Sequence, residues 1–196
     1  LWLKEKLFQK SLLAKLLAEM APLVDWEERL LFSEHHLSHA ASAFYPSPFD
    51  EAVVLTMDGV GEWATTSVAH GSGKKLEILK EIHWPHSLGL LYSAITAYLG
   101  FKVNSAEYKV MGLAPYGEPR YIEQVRKLLD VAPDGSFRLD MSYFDFDFGM
   151  RMANERFFEL FGRPQRELEA PLEEFSSLRT KIAPELCTEA ECSLNS

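Results

Sequence analysis

One run constrains this chain more than any other. Ala52-Val53-Val54-Leu55-Thr56-Met57 is unbroken, β-branched and apolar, and it ends on Asp58-Gly59-Val60-Gly61. A short run of this kind buries both faces and reads as a strand, and the glycine-rich end reads as its turn. Residues 63–69 then return as a second strand. Gly71-Ser72-Gly73-Lys74 makes the next turn, and a third strand runs through Ile78 and Ile82. Everything else must pack around that sheet. Upstream, Leu3, Leu7, Leu12, Leu13, Leu16, Leu17 and Met20 recur at helical spacing up to Pro22. A short strand is expected at 29–32 and a helix over 34–44, stopped by Pro46 and Pro48. Downstream the period turns helical. Helices are expected from Ser87 to Gly100, over 105–113, over 121–131 and near 154–161. The Pro133-Asp134-Gly135 turn leads into a strand at 136–139. The pattern is half of an α/β domain, and one lobe of a two-lobed nucleotide-binding fold reads this way. The pattern alone does not name that fold.

With 47% hydrophobic and 12% aromatic residues in 196, the chain has enough apolar material for a real core. Its formal net charge of −9, with no long basic run, argues against a nucleic-acid surface, which needs clustered cations to neutralise phosphates. The opening Leu1-Trp2-Leu3-Lys4-Glu5-Lys6 mixes charge into its apolar pattern, so neither a signal peptide nor a membrane span is expected. Beginning without Met and within a helix, the chain is expected to have lost upstream sequence. Its two cysteines, Cys187 and Cys192, are too close together to staple a domain, so a reducing cytoplasmic setting is expected. The pattern is strong over 1–163 and weakens over 164–196, whose last part, 176–196, reads as an atypical tail.

The densest chemistry is Glu34-His35-His36-Leu37-Ser38-His39, which holds three of the six histidines. On a helix His35 and His39 are i and i+4 and project from one face, the spacing at which two imidazoles grip one ion. His36 points about 100° away and shares the site at most obliquely. Asp58, at the end of the buried strand, is the expected third ligand. The bland alternatives are satisfied core histidines and an ordinary Asp-Gly turn.

The loop carrying Gly59, Gly61 and Thr65 can offer backbone N–H groups and a hydroxyl to a phosphate. Near the later helix start, Lys102 and Lys109 can meet phosphate and Glu107 a ribose hydroxyl; a capped helix with a solvated face is the alternative. His86, just before the Ser87 helix start, can point into a cleft. His83 is expected on a strand face and His70 at an exposed turn.

Four segments in order resemble the carbamoyltransferase family, which includes nodulation-factor and antibiotic O-carbamoyltransferases. They are His35-His36-Leu37-Ser38-His39-Ala40-Ala41-Ser42-Ala43-Phe44-Tyr45-Pro46, Met57-Asp58-Gly59-Val60-Gly61-Glu62-Trp63-Ala64-Thr65-Thr66, Pro85-His86-Ser87-Leu88-Gly89-Leu90-Leu91-Tyr92 and Tyr108-Lys109-Val110-Met111-Gly112-Leu113-Ala114-Pro115-Tyr116-Gly117. The likeness covers about 30–161. It implies a partial actin/sugar-kinase-like ATPase fold, a mixed sheet with flanking helices, incomplete at both ends and corresponding to the middle of a transfer domain that resembles the tRNA threonylcarbamoyl transferase.

It also implies a chemistry. ATP and carbamoyl phosphate give a carbamoyl adenylate in a separate adenylate-forming domain, and the carbamoyl group passes to the hydroxyl of a small-molecule acceptor. The resemblance puts the metal, ferrous iron or another divalent ion, on His35, His39 and Asp58. It names no catalytic residue here. Ala106 stands where the family usually has glycine. On this reading the chain is a fragment of an ATP-dependent O-carbamoyltransferase, inactive alone; the alternative is a non-catalytic metal- or nucleotide-binding remnant of that fold.

Overall fold

The computed structural model describes residues 8–149 and 151–168. The expected first helix is present there as α1, Gln9–Met20, while its Leu3 and Leu7, like both cysteines and the 176–196 tail, lie outside the described residues. α2, Trp26–Arg29, is one turn capped by the Asp25 carboxylate, which accepts from Glu28 N. The strand expected at 29–32 does not form. Arg29 ends a helix, and Leu31 and Phe32 are 89% and 58% exposed, so apolar character had no sheet to join.

α3, His35–Phe44, lies across the sheet formed by β1 (Glu51–Gly61), β2 (Ala64–Ser72) and β3 (Lys75–His83), paired antiparallel in that order. His36, Ala40 and Phe44, at i, i+4 and i+8, form its buried stripe. Small residues let that stripe close on the sheet. Ala40 and Ala69 are fully buried, and the Phe44 ring occupies the space above Gly71, where a Cβ would fall 2.7 Å from it. His70 sits within β2, not at a turn, and its Nε2 is 2.8 Å from Glu51 Oε1.

The β1–β2 connection differs from expectation in an instructive way. Asp58-Gly59 is not the turn. Met57 pairs with Thr66 and Gly61 with Ala64, so Asp58, Gly59 and Val60 bulge against Thr65 alone. The chain reverses at Glu62-Trp63, with Glu62 at φ 63°, a left-handed conformation its side chain does not advertise.

α4, Leu88–Tyr98, starts against this bulge. The Ser87 hydroxyl is fully buried, accepts from Leu90 N at 3.0 Å and lies 2.7 Å from Gly59 O and 3.1 Å from Asp58 O, to which it can donate. Gly89 permits the approach, since a Cβ there would fall 2.7 Å from Asp58 O. After Gly100, at φ 78°, come α5 (Glu107–Leu113) and α6 (Ile122–Leu128). The helix expected over 121–131 ends early. Leu129–Val131 is β4, which pairs antiparallel with β5, Phe137–Leu139, through the expected turn. α7, Glu155–Phe161, is capped by Asn154. Its Phe157 and Phe161 pack with Tyr98, Ile95, Val110, Leu128 and Phe144 in the larger core, and Phe157 and Phe161 have ring centroids 4.8 Å apart.

The result is a mixed α/β arrangement with a small antiparallel sheet and flanking helices. Both sheets are antiparallel among the described residues. No helix among them is long and apolar enough to cross a membrane.

Candidate metal centre

The helical period that buries His36, Ala40 and Phe44 leaves His35 and His39 on the neighbouring stripe, over the β1 bulge. There the bulge presents the Asp58 carboxylate. His35 Nε2 lies 2.5 Å from Asp58 Oδ2, His39 Nε2 lies 3.0 Å from His35 Nε2, and His39 Nε2 lies 3.4 Å from Asp58 Oδ2. All three side chains remain partly open to solvent.

One ion about 2.1 Å from each ligand atom spaces neighbouring ligands about 3 Å apart at right angles. The three edges straddle that value, and two imidazoles with one carboxylate on a common face are the donor set of non-haem ferrous sites. The residues fit a divalent metal. Asp58's second oxygen accepts from Gly59 N at 3.2 Å, which orients the carboxylate.

His36 supports this face from beneath. It is 3% exposed, and its Nδ1 is 2.9 Å from Ser67 Oγ on β2. Its Nε2 is buried and has no hydrogen-bond partner among the described residues. Burial lowers the His36 pKa below the ordinary imidazole value; His35 and His39 add to this and Asp58 opposes it. Gly61 makes room for the cluster, because a Cβ would fall 2.5 Å from His35 Cδ2 and 2.7 Å from His36 Cδ2.

Of the other sequence-derived positions, Gly59 lies in the bulge and Gly61 at its end, beside the triad, and the rest fall elsewhere. Gly59 has open space where a Cβ would go. Thr65 is fully buried, its hydroxyl engaged with Ile82 O and His86 O. Glu107 accepts from Asn104 N at 2.7 Å and Ala106 N at 3.2 Å, so it caps the start of its own helix. Lys109 lies 6.0 Å from the Phe101 ring centroid. Lys102 lines a cavity of about 440 Å³ with Ala97, Gly100, Arg151 and Gln165, and that cavity shares no residue with the one beside the histidines. His86 does face a cavity, of about 390 Å³, with its Nδ1 accepting from Leu139 N at 3.2 Å.

Sequence reasoning named Ser87 only as a helix start and did not reach its contacts with the bulge, and it missed Ser67. Ser67 belongs to no local pattern, whereas Ser87, just before an apolar helix, carries a cap signal.

The chain matches the carbamoyltransferase N-terminus family over residues 1–184. It belongs to that family. The match runs beyond the 30–161 stretch that the motifs alone covered and includes 176–184. Among relatives of this carbamoyltransferase family member, an uncharacterised protein of Synechocystis is 60% identical over 173 residues, 87% of this chain and 28% of the relative. The nodulation protein NolNO of Sinorhizobium fredii is 43% identical over 141 residues, 70% of this chain and 20% of the relative. The nodulation protein NolO of Bradyrhizobium diazoefficiens is 40% identical over 108 residues, 55% and 20% respectively. The chain therefore spans between a fifth and just over a quarter of the length of these relatives.

Proposed function

We propose that this chain carries the metal-holding part of an ATP-dependent O-carbamoyltransferase, with His35, His39 and Asp58 as ligands. The observation that carries the reading is the convergence of those three side chains, in a member of the carbamoyltransferase family, on ligand atoms within 4.8 Å of one another. The reaction is transfer of the carbamoyl group from carbamoyl adenylate, made from carbamoyl phosphate and ATP by an adenylate-forming domain, to an acceptor hydroxyl. The acceptor oxygen bonds to the carbamoyl carbon as that carbon's bond to the adenylate phosphate oxygen breaks; AMP leaves and the hydroxyl proton passes to solvent. A bound ferrous or other divalent ion supplies Lewis acidity there.

The chain's own residues hold and orient. α3 fixes two imidazoles one turn apart, and the β1 bulge aims the carboxylate between them. Ser87 secures the bulge, and buried His36 sets the floor. The ATPase-like fold and a cytoplasmic location belong to the same proposal, supported by the family and by the cysteine usage. The Gly59–Gly61 segment, Glu107 and Lys109 are proposed to meet the nucleotide only with the rest of the longer protein around them.

The test is ferrous binding by the purified chain, measured anaerobically by titration calorimetry. One equivalent should bind, and His35→Ala, His39→Ala and Asp58→Ala should each weaken it at least 100-fold. Affinity unchanged in all three variants would remove the centre. The isolated chain should show no ATP-dependent carbamoyl transfer, and turnover by it alone would overturn the division of labour.

A further inference from the structure

The cavity that takes in Lys102 lies away from the triad and plays no part in the reaction proposed above. α4 is 11 residues long, so about 16 Å separates its two ends. Its start meets the Asp58 bulge through Ser87. Its other end, at Ala97 and Gly100, forms a wall of the cavity of about 440 Å³.

The charge of that cavity is opposite to that of the chain. In a sequence of net charge −9, the lining carries Lys102, Arg151 and Arg166 and no Asp or Glu. The three cations come from the loop after α4, the loop before α7 and the segment after α7, so the fold gathers them and no local pattern does. Bringing like charges together is unfavourable unless an anion offsets them.

Cations beside a helix C-terminus commonly serve its carbonyls. Here those carbonyls are already met by N–H groups. Gly100 N donates to Ala97 O at 2.9 Å, Phe101 N to Thr96 O at 3.0 Å and Arg166 N to Tyr98 O at 3.0 Å, and Gln165 Nε2 donates to Ala97 O at 3.2 Å. Nor do carboxylates hold Lys102 and Arg151. Arg151 Nη1 meets Glu155 only at 3.5 Å, with both side chains exposed, and Lys102 has no ion-pair partner among the described residues.

The wall is built in advance. Tyr98 Oη donates to Arg163 O at 3.2 Å, and Gly100 makes room for the stem of Arg166, whose Cγ would lie 3.1 Å from a Cβ there. Residues 163–168 are thereby fixed across the end of α4. The rest of the lining is apolar, with Ala97, Phe101, Val103, Met152 and Leu168. The volume falls within the roughly 300–1,000 Å³ of small-molecule sites and exceeds what a bare phosphate needs.

We infer that this cavity binds a small organic phosphomonoester, with its dianion among Lys102, Arg151 and Arg166 and its apolar body against Phe101, Val103 and Met152. Three cations match a dianion better than a carboxylate, which offsets one of them. Held at the far end of α4, the ligand is recognised and not transformed at the triad.

The experiment titrates the ¹⁵N-labelled, metal-free 196-residue chain with phenyl phosphate, benzoate and inorganic phosphate. The backbone amides of Gly100, Lys102 and Arg166 are followed. Phenyl phosphate should shift them saturably at one equivalent. Benzoate, short of a charge, and inorganic phosphate, short of an apolar body, should each bind roughly tenfold or more weakly. Lys102→Gln and Arg151→Gln should each weaken phenyl phosphate roughly tenfold or more, in chains whose spectra otherwise match the parent. Lys74→Gln/Lys75→Gln, at the exposed β2–β3 turn, and His39→Ala, at the triad, should bind it as the parent does. Unchanged affinity in both Lys102→Gln and Arg151→Gln overturns the proposal. So does equal binding of benzoate or inorganic phosphate, or a loss of affinity in either control variant.

Discussion

At the scale of single residues, the histidines sort by what surrounds them. His35 and His39 face the open bulge, His36 is sealed under them, and His86 is held between β3 and the β4–β5 hairpin. Burial lowers the His86 pKa below the ordinary imidazole value, and the nearby Arg138 guanidinium lowers it further. Glu81 and His83 from β3 and Asp130 from β4 line the same cavity. The sign follows directly. The unfolded chain protonates this imidazole first as pH falls, so the neutral folded form loses stability below the ordinary value near 6.5. The melting temperature should drop between pH 7.5 and 5.5, and His86→Gln should shrink that drop without abolishing it, since His36 is shifted the same way. An undiminished drop in His86→Gln, read by calorimetry, would take His86 out of the linkage.

At the scale of elements, the junction of β1 with α4 matters most. One hydroxyl, that of Ser87, caps the helix and meets two carbonyls of the bulge that bears Asp58. Ser87→Ala should cost about 1–3 kcal/mol, because it removes a cap and leaves buried carbonyls unmet. The urea midpoint should fall with an unchanged slope, and ferrous affinity should fall with it as Asp58 loses its support. A variant with wild-type metal affinity would show that the bulge holds itself.

The same junction shows what sequence can and cannot say. The i, i+4 pair His35/His39 was legible because helical period is local, and Asp58 because it closes an apolar run. The turn was not. Asp58-Gly59 carries a stronger turn signal than Glu62-Trp63, and the bulge that forms instead packs against Ser87 and Gly89, about 30 residues away and outside any local window. Residues 29–32 and 129–131 erred in opposite directions for one reason. A strand needs a partner, and Leu31 has none among the described residues, while Leu129 pairs with Leu139. The Ser67–His36 contact joins residues 31 apart, which no window sees.

At the scale of the whole molecule, the two cores divide the labour. Ala40, Phe44, Val54 and Ala69 set α3 on the sheet, while the aromatic cluster around Phe157 holds α5, the helix that carries both Glu107 and Lys109. The site depends on the smaller core. That core rests on a sheet whose order leaves one long side of β1 unpaired among the described residues, with Val53 70%, Leu55 43% and Met57 44% exposed along one face. Along an antiparallel strand paired on one side only, successive amides alternate between a carbonyl partner and water. Amide exchange along β1 should therefore run in two interleaved classes, alternate residues slow and fast, within the very strand that holds Asp58. Any strand that docked on that side would turn the fast class slow, so the alternation is a clock that stops when this sheet acquires a neighbour.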